Sequence, residues 1–458
     1  MLRYLKTALF AVVLFTVPVF SRAQPKSVIT ISGPLTLEQC IYMAQEMNLQ
    51  LASAREKMNE MNASVSEASV ANRPQLSAQA VYTRLIPEPE NPMASMIPLF
   101  DAMYGMGFLP EPIIFPDISG NVYTVGVSVT QPIYTGGKIK NAKKISEHSR
   151  AAAGWQMKGA EREVRRDVTK AYYQALAANK GVLALDSAIA LMQVMLKDLG
   201  NAVEVGMRGE NELLQAQVQL ANQKLARQQA ATGAQMAHDY LAMLIGAPVN
   251  TSVTLVNDLH DPGQFSVNPL PDLQKRAADA STDLKALKEQ LQIIEASMAI
   301  IGGPIPKPAI VAQAGFTGQG VGQGRDGRWD NSGTVSAIAQ WNIYDFGADS
   351  KRRQAKSQKR QLELGMNNLR VGLDMMVKNN VASLEDAFAS IETSKKNIEQ
   401  SKRSYEISYD KFQEGMLLSS ELLNAQNMIL QAEISYYAAL SNFYARQAEL
   451  DYLVNPDN

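Results

Sequence analysis

Two periodicities alternate along the chain. From Lys138 the apolar residues fall at spacings of four and three: Val164, Val168, Ala171, Ala175, Ala178 and Val182, then Leu185, Ile189, Met192, Leu196, Leu199 and Val203. A seam of this kind predicts a coiled-coil helix, on the order of 100 Å long if it runs from Lys138 to Val205 at 1.5 Å per residue. Gly154, Gly159, Gly181 and Gly200 interrupt it, each costing about 1 kcal/mol against alanine. The frame returns 209 residues later in Val377, Leu384, Ile391, Ile398, Tyr405 and Phe412, with Asn380, Ala387, Ser394, Ser401 and Ser408 at the small or polar intermediate positions. Each run ends at a glycine. Val205, Gly206 and Met207 precede Glu212-Leu213-Leu214-Gln215-Ala216-Gln217, and Glu414, Gly415 and Met416 precede Glu421-Leu422-Leu423-Asn424-Ala425-Gln426, at 415 − 206 = 209. A glycine between two long seams predicts a tight reversal, hence helical hairpins over 138–245 and 348–454.

Ahead of each hairpin the period is two. Leu76, Ala78, Ala80 and Tyr82 alternate with polar residues, as do Val125, Val127 and Val129, predicting strands at 75–84 and 122–131. Pro308 to Thr317 repeats Pro74 to Thr83 at 308 − 74 = 234, and Val335, Ala337, Ala339 and Trp341 alternate with one exception, Ile338, predicting strands at 308–317 and 333–342. Helix-like stretches from Leu35 to Asn72, with Thr36 as N-cap, and from Leu270 to Ile301 precede the pairs. The chain thus divides into repeats at 24–248 and 269–458 joined by a linker at 249–268. The first inter-strand loop, 85–121, is the longer one; its prolines argue against any regular element, and Met93, Met96, Met103 and Met106 have no histidine or cysteine beside them to build a soft-metal site. The glycines between Gly315 and Gly327 join two strands rather than open a helix, which predicts a flexible surface loop and no phosphate cradle.

Arg3 and Lys6 before an apolar run from Ala8 to Phe20, closed by Ser21-Arg22-Ala23, predict a secretory signal over 1–23. No later stretch has the length and apolarity of a membrane helix, so any crossing is by strands. A net charge of −1, one cysteine (Cys40) and three scattered histidines offer no nucleic-acid, disulfide, metal or hydrolytic signature; neither catalysis nor a cofactor is expected. Four strands of about ten residues rise ~33 Å each, ~25 Å along a membrane normal when tilted. Four cannot close a cylinder, whereas three copies supply twelve. The competing reading of the alternation is a soluble sheet packed on its own helices.

Signal, duplication, paired strands and the two glycine reversals followed by E-L-L-x-A-Q together resemble the TolC-like outer-membrane efflux proteins over essentially the whole mature chain. The resemblance implies a mainly α protein with a small β part: long hairpins forming a periplasmic α-barrel, and four strands per protomer in a twelve-stranded barrel of a homotrimer. It implies a place in the outer membrane of a Gram-negative bacterium, a periplasmic adaptor, and an inner-membrane transporter reached through it. The activity implied is passive export of small molecules through the exit duct of a tripartite efflux pump; alternatives are the duct of a type I protein secretion system and a soluble periplasmic coiled-coil adaptor. Carried over, Val205, Gly206, Met207, Glu414, Gly415 and Met416 are the adaptor-contacting tips, and Glu421, Asn424 and Glu212 the periplasmic gate. Asn424 stands where a second carboxylate is often found, and Leu417 where an arginine lock sits.

Overall fold

A computed structural model describes residues 33–84, 96–107, 121–248, 253–256, 259–303, 305–321 and 328–455. The expected signal over 1–23 and most of the proline-rich loop, Met93 included, lie outside the described residues. Among the described residues no helix is long and apolar enough to cross a membrane.

The helices before each strand pair are broken, not continuous as the apolar pattern suggested. The first is α1 (Leu37–Met47) and α2 (Leu49–Val70). Thr36 caps α1 with a reciprocal box to Gln39. Asn48 is the break: its Oδ1 accepts from the amides of Gln50 and Leu51, and its Nδ2 donates to the Leu244 carbonyl at 2.8 Å. One asparagine thus starts α2 and holds the end of another helix 196 residues away. After β1 (Gln75–Arg84) comes α3 (Ile97–Gly105), a helix where proline density argued for none; Pro98 sits in its first turn, where a missing N–H costs nothing.

Then follow β2 (Asn121–Tyr134), the 67-residue α4 (Lys138–Glu204) and α5 (Glu210–Leu244). The second half repeats the order with α6 (Leu270–Ala280), α7 (Thr282–Ile301), β3 (Ala309–Val321), β4 (Arg328–Gln340), α8 (Ala348–Gln413) and α9 (Ser419–Val454). Ser281 breaks α6 from α7 and caps Leu284 at 3.2 Å, which puts it 281 − 48 = 233 residues beyond Asn48.

The long helices lie side by side in the order α5, α4, α9, α8. Val164, Val168, Ala171, Met192 and Leu199 of the first seam are buried, as are Val377, Asn380, Leu384, Ala387, Ile391, Ser394 and Ser401 of the second. Because α4 has a neighbour on both flanks, it also buries Tyr172, Leu176, Ala188 and Met195, which a two-position heptad does not mark. The stretch expected as a linker is built into this core. Leu35 and Leu255 form a parallel bridge, Val253 and Leu259 are buried, Tyr172 Oη donates to the Val256 carbonyl at 2.9 Å, and Phe265 meets Phe388 and Phe443 at 5.4 and 5.2 Å. At the end of α5, Gly246 has φ +72°, and a Cβ there would lie 2.6 Å from the Met47 carbonyl oxygen. Gly246→Ala is therefore expected to cost about 1–3 kcal/mol from backbone strain alone, read as a lower melting temperature of the helical signal.

The strands form one antiparallel sheet in the order β1-β2-β3-β4. They are longer than the alternation indicated for β2, β3 and β4, at 14, 13 and 13 residues. Gly315, Gly318 and Gly320 belong to β3 and not to a surface loop. A Cβ on Gly318 or Gly320 would come within 2.6 Å of the Trp329 ring, so these glycines make the bed in which that indole lies.

Candidate functional site

The register of the sheet sorts its residues into two faces. Leu76, Val129, Ala314 and Val335 stand in one cross-strand row; Ala78, Val127, Phe316 and Gly333 stand in another. Ser77, Ser128, Gly315 and Thr334 form the row between them, on the opposite face. One face is thus mainly apolar, interrupted by Gln131 and Asn331 and ending in Arg84 and Asn121, and the other is mainly Ser, Thr, Gln and Gly, with Val81, Val122, Val311 and Ile338 among the exceptions. Tyr82, Tyr123, Gly320 and Trp329 share the row near one end, with the two tyrosine rings 5.0 Å apart. At the other end a bulge between Pro132 and Tyr134 sets Tyr134 opposite Ile310, in the apolar rows, and exposed Trp341 donates to the Pro306 carbonyl at 2.8 Å. The span from Tyr123 to Tyr134 is ~36 Å along the strand and ~27 Å along the normal of a tilted barrel. Among the described residues no helix packs across either face: all of β1 is exposed, and Val335 is 90% exposed. β1 and β4 each leave one edge unpaired within the chain.

The far ends of the hairpins are two copies of one turn. Gly206 and Gly415 have φ +73° and +76°. The Met207 amide donates to Ala202 and the Gly206 amide to Val203; the Met416 amide donates to Lys411 and the Gly415 amide to Phe412. Each is a Schellman closure that satisfies the last carbonyls of a helix, and only a residue free to adopt positive φ fits its centre. These turns leave Val205, Met207, Met416 and Leu418 exposed, so the tips are apolar.

Arg208, which the sequence reading did not single out, joins the turns. It comes from the first and donates to two backbone carbonyls at the second, Phe412 at 3.2 Å and Leu417 at 2.9 Å, with its guanidinium carbon 4.9 Å from the Phe412 ring centre. A cation on the last carbonyls of a helix also meets the negative end of its dipole. The signal was available in the repeat: 208 + 209 = 417, so the arginine expected at Leu417 stands at the equivalent position of the first copy and holds the carbonyl of Leu417 itself. Glu212 is half-buried in the first turn of α5 and is engaged by Arg208 at 3.6 Å. Glu421 and Asn424, one helical turn apart, are both exposed, whereas Leu422, Leu423 and Gln426 are turned into the packing. Arg208→Ala should free the two turns from each other, at about 1.5–3 kcal/mol for hydrogen bonds from a charged group, read as faster amide hydrogen exchange at both tips.

The family model described as outer membrane efflux protein matches residues 40–247. Outer membrane efflux protein BepC of Brucella suis biovar 1 (strain 1330) is 32% identical over 111 residues, a segment that is 24% of this chain and 24% of that protein. Among solved structures, the outer membrane protein VceC of Vibrio cholerae superposes with a TM-score of 0.69 at 14% identity, covering 91% of this chain and 95% of that one. The CmeC outer membrane channel of Campylobacter jejuni gives 0.72 at 16%, covering 92% and 85%. The open state of the MtrE outer membrane channel of Neisseria gonorrhoeae gives 0.67 at 16%, covering 91% and 88%. At these identities the superpositions speak for the fold alone, long helical hairpins and a four-stranded sheet arranged as in those TolC-like channel proteins. Fold and family model agree: over residues 40–247 this chain matches the outer membrane efflux protein family, and over 91–92% of its length it has the fold of those solved outer-membrane proteins.

Proposed function

We propose that the chain is one third of an outer-membrane exit duct for efflux. Three copies close a twelve-stranded barrel through their β1 and β4 edges, and their long helices form a periplasmic tube beneath it. The observation that carries this is the sheet: a mainly apolar face, uncovered by any described helix, between two aromatic ends at the separation of a membrane's interfaces. In hydrocarbon, open strand edges leave backbone groups unsatisfied at several kcal/mol each, so copies must close on one another. A soluble adaptor would have no use for such a face.

The tube's tips, with exposed Val205, Met207 and Met416 around Gly206, Glu414 and Gly415, would dock a periplasmic adaptor that links the duct to an inner-membrane transporter. Glu421 and Asn424 just inside the tip, and Glu212 behind Arg208, would set the periplasmic gate. Three copies of Glu421 make a ring that favours cations. Transport would be passive.

The test is fractionation followed by electrophysiology. The chain should sediment with outer membranes, migrate as a heat-sensitive oligomer and conduct in planar bilayers, with Glu421→Lys shifting the reversal potential in a salt gradient toward anion preference. A stable monomer in detergent-free buffer would refute the assignment.

A further inference from the structure

A cavity of about 290 Å³ lies between α1, α4 and α9, at mid-height of the helical part and away from the tips. Helix α4 puts Arg162, Arg165 and Arg166 on its wall, and spacings of three and four residues set these arginines on one helix face. The only acid on the wall is Asp451 of α9.

The three guanidiniums are not equally engaged. Arg166 is held within the chain by Asp167 at 2.8 Å, Glu163 at 3.3 Å and Glu449 at 3.8 Å. Arg162 is 7% exposed and gives Nη1 and Nη2 to the Ala280 and Tyr452 carbonyls, yet its Nε–H is sealed from solvent with no acceptor. A buried donor left in that condition costs about 1–3 kcal/mol. The Arg165 guanidinium makes no hydrogen bond or ion pair among the described residues and faces Asp451 from beyond ion-pair distance. Asp451 accepts from Asn455 Nδ2 at 3.0 Å, and burial raises its pKa against the pull of Arg165 and Arg276. Two guanidiniums with unused donors therefore share the wall with one carboxyl that burial makes a poor anion.

Much of the remaining wall is apolar or aromatic. Leu37 and Ile41 come from α1, and the rings of Tyr173 and Tyr444 stack 4.1 Å apart. At this volume only a small molecule fits. A compact dianion would satisfy the arginines but would meet Asp451 and leave the apolar wall uncovered, whereas a carboxylate on an apolar body uses both halves. Guanidinium donors match the two oxygens of a carboxylate.

We propose that this cavity binds a small carboxylate carried on an apolar body, with its oxygens on Arg165 and Arg162 Nε–H and its body against Tyr173, Tyr444 and α1. The whole wall comes from one chain, so the site is complete whether or not copies assemble into a duct.

The experiment is isothermal titration calorimetry on the full chain extracted from outer membranes in detergent, at constant ionic strength, with benzoate as the probe. Benzoate should bind saturably, one per chain. Benzyl alcohol, the same body without the charge, and sulfate, charge without the body, should each bind at least about tenfold more weakly. Arg165→Gln removes no contact within the chain; it should weaken benzoate at least about tenfold while the helical melting temperature stays that of the wild type. Benzoate should raise that melting temperature in the wild type and not in Arg165→Gln. Arg165→Lys, with the charge but not the fork, should fall between the two. Asp451→Asn should tighten benzoate severalfold by removing the acid that opposes it. Absence of saturable binding, or an affinity that Arg165→Gln leaves unchanged, would overturn the site. Sulfate or benzyl alcohol binding as tightly as benzoate would overturn the ligand class.

Discussion

Val127→Arg is expected to abolish the membrane-resident oligomer. Val127 lies in mid-strand on the apolar face, opposite Ala78 and Phe316. An arginine facing lipid near the midplane of a barrel costs about 2–4 kcal/mol, and the proposed trimer would repeat it to about 6–12 kcal/mol per assembly, comparable with the whole stability of a domain. Ser336→Arg, on the polar face beside Gln313, carries the same charge at similar depth but toward water. That variant should assemble normally and change conductance instead. The measurement is the heat-sensitive band in outer-membrane fractions. If both variants assemble equally well, the apolar face does not contact lipid.

Arg162→Ala is expected to produce the next largest loss, in the helical part. Arg162 is buried, with Nη1 on the Ala280 carbonyl at 3.0 Å, Nη2 on the Tyr452 carbonyl, and its guanidinium carbon 5.3 Å from the Tyr452 ring centre. Ala280 is the last residue of α6 and Tyr452 lies in the last turn of α9, so one cation closes two helix ends. Burial pulls the guanidinium below its ordinary pKa, because desolvation disfavours the charged form. Truncation leaves both carbonyls without this donor and opens a void, for a loss of about 3 kcal/mol or more. Arg162→Lys keeps the charge without the planar fork and should lose less, while Tyr452→Phe keeps the carbonyl and should leave the bond to it intact. Helical melting followed by circular dichroism distinguishes the three.

What periodicity could carry, it carried. The four-three spacing marked both long helices, the glycines marked both reversals, and the alternation marked all four strands. Features set by a third body were not legible. Asn48 and Ser281 look unremarkable inside helical patterns, and their role as breaks follows from what they cap, including Leu244 across the fold. Arg162 lies off the heptad seam because it serves the second flank of α4, which exists only once α9 is in place. The repeat of Pro74 to Thr83 marks only the first part of β3, because Gly318 and Gly320 beyond it carry no alternation, and the reason they are glycine, the Trp329 ring, is on the next strand. Of the tip, the turns and the face shared by Glu421 and Asn424 were readable. Arg208 was readable only through the repeat, as the one arginine standing opposite Leu417 in the alignment of the two halves.

The two unpaired edges of the sheet bear on genetics as well as architecture. In the proposed duct, a wall that closes only when three copies meet gives each copy a veto over the other two. When a subunit with a defective strand is made alongside an equal amount of the normal one, and subunits mix at random, only about one pore in eight contains no defective member. Lesions in β1 or β4 should therefore behave as dominant in mixed expression, whereas a chain truncated before its first strand should be recessive.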